Sequence, residues 1–378
     1  MKAFTKSVVG AVSGAALMML ATANGSLAEP KFTNVDMAPT KVGAIADLQD
    51  MKNFCGTKPI KVALSDGWGE NGWRKITRAE FEDEAAKCPN ITETRYTNGQ
   101  GNPQKQISDI QGLIAQKFDV IILYPDGGEA IIKAMNQATQ AGVAVVPYDL
   151  GEGFPGTLGE DYLVITTESV VGVGATLAEW TVKQLNGKGN IIVLGGTPGN
   201  PTSAAMAVGW KSVFDKHPDI KVLEGPLDTN WDPAEAQKVM AGMLAKYPHI
   251  DAVMSDYGQG SMGALRAFVA AGRPIPLWPS QDANELGCFW EDNHAANPNF
   301  KLATVTARTW LSRNALRKGV AAVQGIDNTE PSIINLPLAE DSTSSDPALK
   351  VRCERSLPPD AILSSMLPVD KLVELLAK

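Results

Sequence analysis

Residues 63–75, ALSDGWGENGWRK, set Trp68 and Trp73 beside Asp66, Glu70 and Asn71 in a glycine-rich stretch that follows an apolar, β-branched run. No hydrophobic period in the stretch offers to bury the rings. The same mixture recurs where other apolar runs end: Tyr124-Pro125-Asp126, Tyr148-Asp149, Thr202-Ser203, Trp231-Asp232, Asp256-Tyr257 and Gln281-Asp282. Carboxylates, amides and hydroxyls pair with hydroxyl groups, and aromatic planes cover the C–H faces of a ring. Together they suit non-covalent capture of a sugar or polyol. Taken singly, each Trp or Asp reads equally well as loop packing or a helix cap. The shared bias of seven such loops points to a ligand.

Other chemistries find less material. The histidines are His217, His249 and His294, and two of them border a proline in helix-ending contexts, which leaves little for a His-based triad or a metal site. GGTPGN (195–200) and GVGAT (172–176) lack both the P-loop Lys-Ser/Thr and the dinucleotide spacing after a first strand. Neither an enzyme nor a bound cofactor or metal is expected. The net charge of −8, with no long basic block, argues against nucleic acid. With 44% hydrophobic and 20% charged residues over 378 positions, the chain is globular and long enough for two domains.

The elements that must position these loops alternate in type. Strand-like PIKVALS (59–65), FDVIILYP (118–125) and VAVVPYD (143–149) are interleaved with helical patterns near 72–88, 103–117 and 128–141. The rhythm restarts at YLVITT (162–167) and runs through NIIVLGG (190–196), IDAVMSD (250–256) and IPLWPSQD (275–282). Near-continuous apolar strands with helical crossovers predict two successive open parallel sheets, each covered on both faces. Ligands in such sheets lie beyond the carboxyl ends of the strands, where the polar and aromatic loops fall.

At the N-terminus, Lys2 and Lys6 precede the apolar run 8–23, and Ser26-Leu27-Ala28 supplies small residues at the positions a signal peptidase reads. Cleavage after Ala28 and an exported, soluble protein are expected. Export favours disulfides among Cys55, Cys88, Cys288 and Cys353, which allow three pairings. Cys55 precedes the first strand and Cys88 ends the helix that returns antiparallel to it, so both lie at that strand's amino end. The expectation is Cys55–Cys88, which leaves Cys288–Cys353.

Several stretches resemble the type I periplasmic substrate-binding proteins of ABC sugar importers, the ribose- and galactose-binding group. They are VMSDYGQGSMGALRAFVAAG (253–272), NPTSAAMAVGW (200–210), DTNWDPAEAQKVMAGMLAKYPHIDAV (228–253), WPSQDANELG (278–287) and KLATVTA (301–307). The resemblance runs from about residue 59 to at least 335. It implies two Rossmann-like α/β lobes with parallel sheets, joined by three hinge crossings near 150–160, 282–310 and 333–340. The lobes would be 58–157 with 309–335, and 158–308 with 336–378, after a leader segment at 29–57. It further implies a solute-binding protein that passes a sugar or polyol to a permease in the inner membrane. A periplasmic receptor for a signal molecule or nucleoside is the alternative reading.

Site residues follow from the same resemblance, position by position. Trp73 and Trp231 match the two rings that sandwich the ligand, with Trp68 beside the first. Asp149 and Asp282 match strand-end aspartates, Tyr257 stands where an Asn is usual, and Arg308 lies at or beside the hinge glutamine. Asp66, Asn71, Asp126, Tyr148, Ser203 and Met206 complete the candidate set. Leu150 and Met206 stand where the family carries arginines, which predicts a cleft without an arginine clamp. Such a cleft would suit a polyol, a deoxy or methylated sugar, or a nucleoside-like ligand.

Overall fold

Apolar runs of four to seven residues become buried parallel strands in a computed structural model that describes Phe32, Val35 and residues 41–376 apart from 70, 152 and 199. The expected signal peptide lies outside the described residues. Along the chain, β1 (Val42–Gly43) is followed by β2 (Ile60–Asp66), α1 (Gly72–Ala85), β3 (Ile91–Asn98), α2 (Pro103–Ala115), β4 (Val120–Tyr124), α3 (Ile132–Gln140), β5 (Ala144–Pro147) and β6 (Thr167–Glu168). Next come α4 (Val170–Gln184), β7 (Gly189–Gly195), α5 (Pro201–Phe214), β8 (Ile220–Asp228), α6 (Pro233–Lys246), β9 (Ala252–Ser255), α7 (Gly258–Ala270), β10 (Trp278–Gln281) and α8 (Asn284–Asn293). The chain then passes through β11 (Leu302–Val305), α9 (Leu311–Gln324), β12 (Ile333–Ile334) and β13 (Glu340–Asp341) to α10 (Val369–Leu376).

The first lobe is built on a parallel sheet ordered β3-β2-β4-β5. β4 and β5 are buried throughout, whereas β3 mixes exposed and half-buried residues, as an edge strand does. The second lobe carries β8-β7-β9, extended through a bridge from Ala252 to Leu277 towards β10, β11 and the antiparallel β13. A small parallel sheet, β1-β12-β6, lies where the chain passes between the lobes. Helix starts are fixed by side chains that accept from the first free amides: Asn71 for α1, Asn102 for α2, Asn200 for α5 and Asp232 for α6. These caps hold the strand-end loops against the helix starts.

Three expectations about the lobes need correction. YLVITT (162–167) does not open the second sheet. Leu163 N donates to Val145 O and Thr166 N to Pro147 O, so the segment lies along β5 of the first lobe, and Asn136 and Thr139 of α3 bind Asp161 beside it. The first passage therefore falls at 167–170, not 150–160. An apolar run reads the same whether it adds an edge to one sheet or starts another. Second, the segment expected as a leader joins the body from residue 41. β1 pairs with β12, and Met51 and Phe54 are buried in the first lobe's core.

Third, residues 336–378 do not all belong to the second lobe. Asn284 of α8 binds the backbone at Glu354, Leu357 and Pro358, but Ser365 Oγ and Met366 N both donate to Glu80 Oε1 of α1 at 2.7 Å. Lys371 pairs with Asp83 at 2.5 Å, and Leu372 is buried. The tail thus makes a fourth passage between the lobes at Ser364–Ser365.

Helix α9 completes the first lobe by packing on α1, β4 and β5. Its contact with α1 is ionic and buried: Arg313 pairs with Glu80 and Glu84, and Arg317 with Glu84 and Glu330. Arg313 meets three carboxylates, Asp83 being the third, and Arg317 meets two, which offsets the cost of burying the charge. Two disulfides staple the molecule, Cys55–Cys88 with Cα atoms 5.2 Å apart and Cys288–Cys353 at 4.6 Å.

Candidate ligand-binding site

The carboxyl ends of β2, β4, β9 and β10 face one cavity of about 80 Å³. A water needs roughly 10–15 Å³ of such volume, so the space suits one small ring or short chain rather than an oligomer. Asn71, Trp73, Arg74, Tyr124 and Asp149 line it from the first lobe; Thr202, Trp231, Asp256, Tyr257 and Gln281 line it from the second; Arg308 lines it from the hinge.

In the first lobe Arg74 organises the wall. Its Nη1 donates to Asp66 Oδ1 and its Nη2 to Asp126 Oδ1, both at 2.8 Å, so one guanidinium bridges the ends of β2 and β4. The same group lies over the rings of Tyr124 (4.1 Å to the centroid) and Trp73 (5.0 Å). Trp73 and Tyr124 meet edge to face at 5.9 Å, and the Trp73 indole N–H donates to Ala307 O at 2.7 Å. Burial lowers the pKa of Arg74, but Asp126 and Asp66 outweigh it, so the group is held well above its ordinary value. Burial pushes Asp126 up to about 6 against the pull of Arg74.

The second lobe presents Asp256, which accepts from Ser203 Oγ at 2.5 Å and from Trp231 Nε1 at 3.2 Å. Burial raises it to about 6. Trp231 is held at φ +54, an unusual backbone for a bulky residue, and its indole occupies the space a Cβ would take on Gly196. Asp149 and Arg308, at φ +59 and +51, share this left-handed conformation. Strain of about 1–3 kcal/mol per residue tends to collect at ligand sites.

At the hinge Arg308 Nε meets Asp149 at 2.7 Å and Glu168 at 2.6 Å, all three nearly fully buried. Burial pushes Glu168 above the usual carboxylate range although Arg308 pulls it down. Arg308 Nη1 and Thr202 Oγ1 are buried with no hydrogen-bond partner among the described residues, and both residues line the cavity.

The residues singled out from sequence separate into three groups. Asn71, Trp73, Asp149, Trp231, Tyr257 and Arg308 line the cavity. Asp66, Asp126 and Ser203 do not, but they bind residues that do. Trp68, Tyr148, Met206 and Asp282 stand elsewhere. Trp68 is 60% exposed and lies over Gly101. Tyr148 is fully buried behind Tyr124. Met206 sits one turn beyond Ser203 on α5, inside the core against Gly174. Asp282 accepts from Ala307 N, Ser364 N and Ser364 Oγ, and so ties the hinge to the tail. Its neighbour Gln281 reaches the cavity instead, because successive strand residues face opposite sides.

Arg74, Tyr124, Thr202, Asp256 and Gln281 were missed as site residues. Four of them stand in the strand-end loops the sequence marks; Arg74 reads as an ordinary cation in the first turn of a helix. The expected absence of an arginine clamp is also corrected. Arg74 and Arg308 bring two guanidiniums to the cavity, from positions other than Leu150 and Met206. Among the described residues, no group of His, Cys, Asp or Glu is arranged to hold a metal ion, and no helix is long and apolar enough to cross a membrane.

Comparison with known proteins agrees with this architecture. Residues 62–285 match the family model described as periplasmic binding protein domain. The xylitol-binding protein of Mycolicibacterium smegmatis is 30% identical over 201 residues, which are 52% of this chain and 55% of that protein. The ribose import binding protein of Escherichia coli is 25% identical over 176 residues, 47% of this chain and 57% of that protein. The chain thus spans little more than half the length of these curated relatives. An ABC transporter solute binding protein from Thermobispora bispora superposes with a TM-score of 0.63 and 28% identity, over 74% of this chain and 85% of that one. The periplasmic binding protein component of the arabinose ABC transporter from Shewanella shares the fold, with a TM-score of 0.65 and 22% identity over 75% and 92% of the two chains.

Proposed function

Because the chain belongs to the periplasmic binding protein family, we propose that it is the ligand-capturing component of an importer. It holds one small polyhydroxylated molecule, a sugar or polyol, between its lobes and delivers it to an ABC permease in the inner membrane. The observation that carries this is a single small cavity whose wall is contributed by both lobes and mixes rings with hydrogen-bonding groups. The names of the relatives, one binding xylitol and one importing ribose, support the ligand class.

In this reading the side chains divide the work. Asp149 and Asp256 accept from ligand hydroxyls. Thr202 Oγ1 and Arg308 Nη1, which lack partners among the described residues, donate to ligand oxygens. Trp73 and Tyr124 on one side, and Trp231 and Tyr257 on the other, cover the apolar C–H surface. A ligand that touches both lobes favours the closed arrangement over the open one by the contacts only the closed one makes. Lobe motion would turn on the passages between the lobes, among them those at 167–170 and Ser364–Ser365. The mature protein would begin after Ala28 and work in the periplasm.

The test is a thermal-shift screen of the mature protein against pentoses, hexoses, pentitols, inositols and nucleosides. A true ligand at 100 times its dissociation constant adds about 2.7 kcal/mol of stability and raises the melting temperature. A panel in which only nucleosides shift the melt, or in which none of the sugars and polyols does, would sink the proposal.

A further inference from the structure

The charges around the cavity do not balance, and one acid in its wall, Asp256, has no ion-pair partner among the described residues. Arg74 is already paired with Asp66 and Asp126, each at 2.8 Å. Arg308 is already paired with Asp149 at 2.7 Å and Glu168 at 2.6 Å. Arg74 therefore meets two carboxylates before any ligand arrives, and Arg308 meets the Asp149 carboxylate and a Glu168 carboxyl that burial holds towards its neutral form, so neither guanidinium has a net positive charge to offer. Asp256 is the fifth carboxyl group. It is 5% exposed, lines the cavity, and among the described residues accepts only from the neutral Ser203 hydroxyl and Trp231 indole.

Two aromatic side chains flank this acid. Trp231 donates its indole N–H to it, and Tyr257, the next residue along the chain, lines the same cavity. A buried carboxylate open to a cavity attracts an ammonium group by charge, and rings beside it cover the C–H surface that carries the ammonium. The rest of the cavity still suits a polyol. Thr202 and Arg308 are each 5% exposed, line the cavity, and offer Oγ1 and Nη1 with no partner among the described residues. A neutral hydroxyl oxygen satisfies these donors without adding charge.

We propose that Asp256, with Trp231 and Tyr257 beside it, forms an ammonium subsite, so that the cleft holds a protonated amino sugar or amino polyol more tightly than its neutral counterpart and rejects the carboxylated or phosphorylated one. This rests on the reading of the cavity as a polyol site and narrows it by charge. Burial raises the Asp256 carboxyl to about 6, which leaves it mostly ionised at neutral pH. A uronate or sugar phosphate would add a further negative group beside guanidiniums whose charge is already compensated.

The experiment uses matched triplets in the gluco, galacto and manno series: the hexose, the 2-amino-2-deoxyhexose and the hexuronate. Titration calorimetry at pH 7 on the full mature chain is expected to show at least one amino sugar bound about tenfold or more tightly than its parent hexose, and no uronate bound. In Asp256→Asn the ratio of amine to parent affinity falls to about one. Equal affinity of amine and hexose in the unaltered chain, or a uronate that binds as well as either, overturns the subsite while leaving the polyol reading standing.

A second arm needs no ligand. Asp256→Asn removes a buried charge that Arg308 offsets only through space, without an ion pair, and should raise the melting temperature of the unliganded protein at pH 7 by a degree or more, whereas Asp149→Asn removes one in direct contact with Arg308 and should lower it. If no sugar in the panel binds, the polyol reading falls, and the melting arm decides the subsite: a lower melting temperature for Asp256→Asn would mean that the charge is already compensated and would overturn it.

Discussion

Trp73 and Trp231 both read from sequence as rings in exposed loops, yet they occupy different settings. Trp73 is 8% exposed, bonded to Ala307 at the hinge and packed edge to face on Tyr124 beneath the Arg74 guanidinium. Trp231 is half-buried and touches its own lobe mainly through Asp256 and Gly196. Trp231→Ala is therefore expected to weaken ligand binding by about 1–3 kcal/mol, roughly five- to 150-fold, with little change in the denaturation midpoint. Trp73→Ala should weaken binding similarly and also lower stability by about 3 kcal/mol or more, because it opens a cavity beside a buried guanidinium. Calorimetry and urea unfolding on the two variants separate these effects; a Trp73 variant as stable as the parent contradicts the second. Stability should also depend on pH through Asp256. Its folded value of about 6 lies above that of an unfolded aspartate, so the folded state binds the proton more tightly. Its contribution is favourable at low pH and is lost as pH rises from about 4 to 6. The stability of Asp256→Asn relative to the parent should accordingly grow across that window and then level off. A difference that is flat from pH 4 to 7 counts against the shift. Residue types at strand ends were legible in the sequence because ligand loops need them. Which neighbour faces the cavity was not: Gln281 against Asp282, and Asp256 as well as Tyr257, are decided by strand twist and helix entry.

At the scale of elements, the alternation of strands and helices was readable because each apolar run is a strand buried on both faces. Lobe membership was less so, since it depends on which edge a strand joins. YLVITT and the tail both show this. The tail gives a direct test. Residues 351–364 are held to the second lobe by Asn284, Asp282 and the Cys288–Cys353 bridge, and from Ser365 the chain is held to α1 by Glu80 and Asp83. Adjacent residues are thus anchored to different lobes, so the tail should limit how far the lobes separate. Truncation after Ser364 removes the buried Leu372 and should cost the first lobe roughly 2–3 kcal/mol. It should also enlarge the unliganded protein in small-angle scattering and speed ligand release in stopped-flow fluorescence. A truncated chain with unchanged scattering and release rate would show that the passage does not restrain the lobes.

For the whole molecule, closure is the expected response to ligand. Small-angle scattering should give a smaller radius of gyration at saturation, with a change in tryptophan emission as the half-buried Trp231 loses water; an unchanged radius would argue for a rigid cleft. The two sheets followed from the strand–helix rhythm and the passages between the lobes from the resemblance of a few stretches, while the fourth passage lay beyond the last of those stretches, which ends at residue 307. The placement of α9 bears on how the chain comes to be folded at all. The first lobe's strands β2 to β5 are complete by residue 147, but the helix that covers β4 and β5 begins at Leu311 and the tail segment on α1 at Ser365. A chain emerging N-terminus first, from a ribosome or through a membrane pore, cannot finish its first lobe until nearly all of it is out. Until then an apolar sheet face stands uncovered. The lobe begun first is completed last, a delay that favours passage across a membrane in the unfolded state and calls for protection of that face until Leu311–Gln324 arrives.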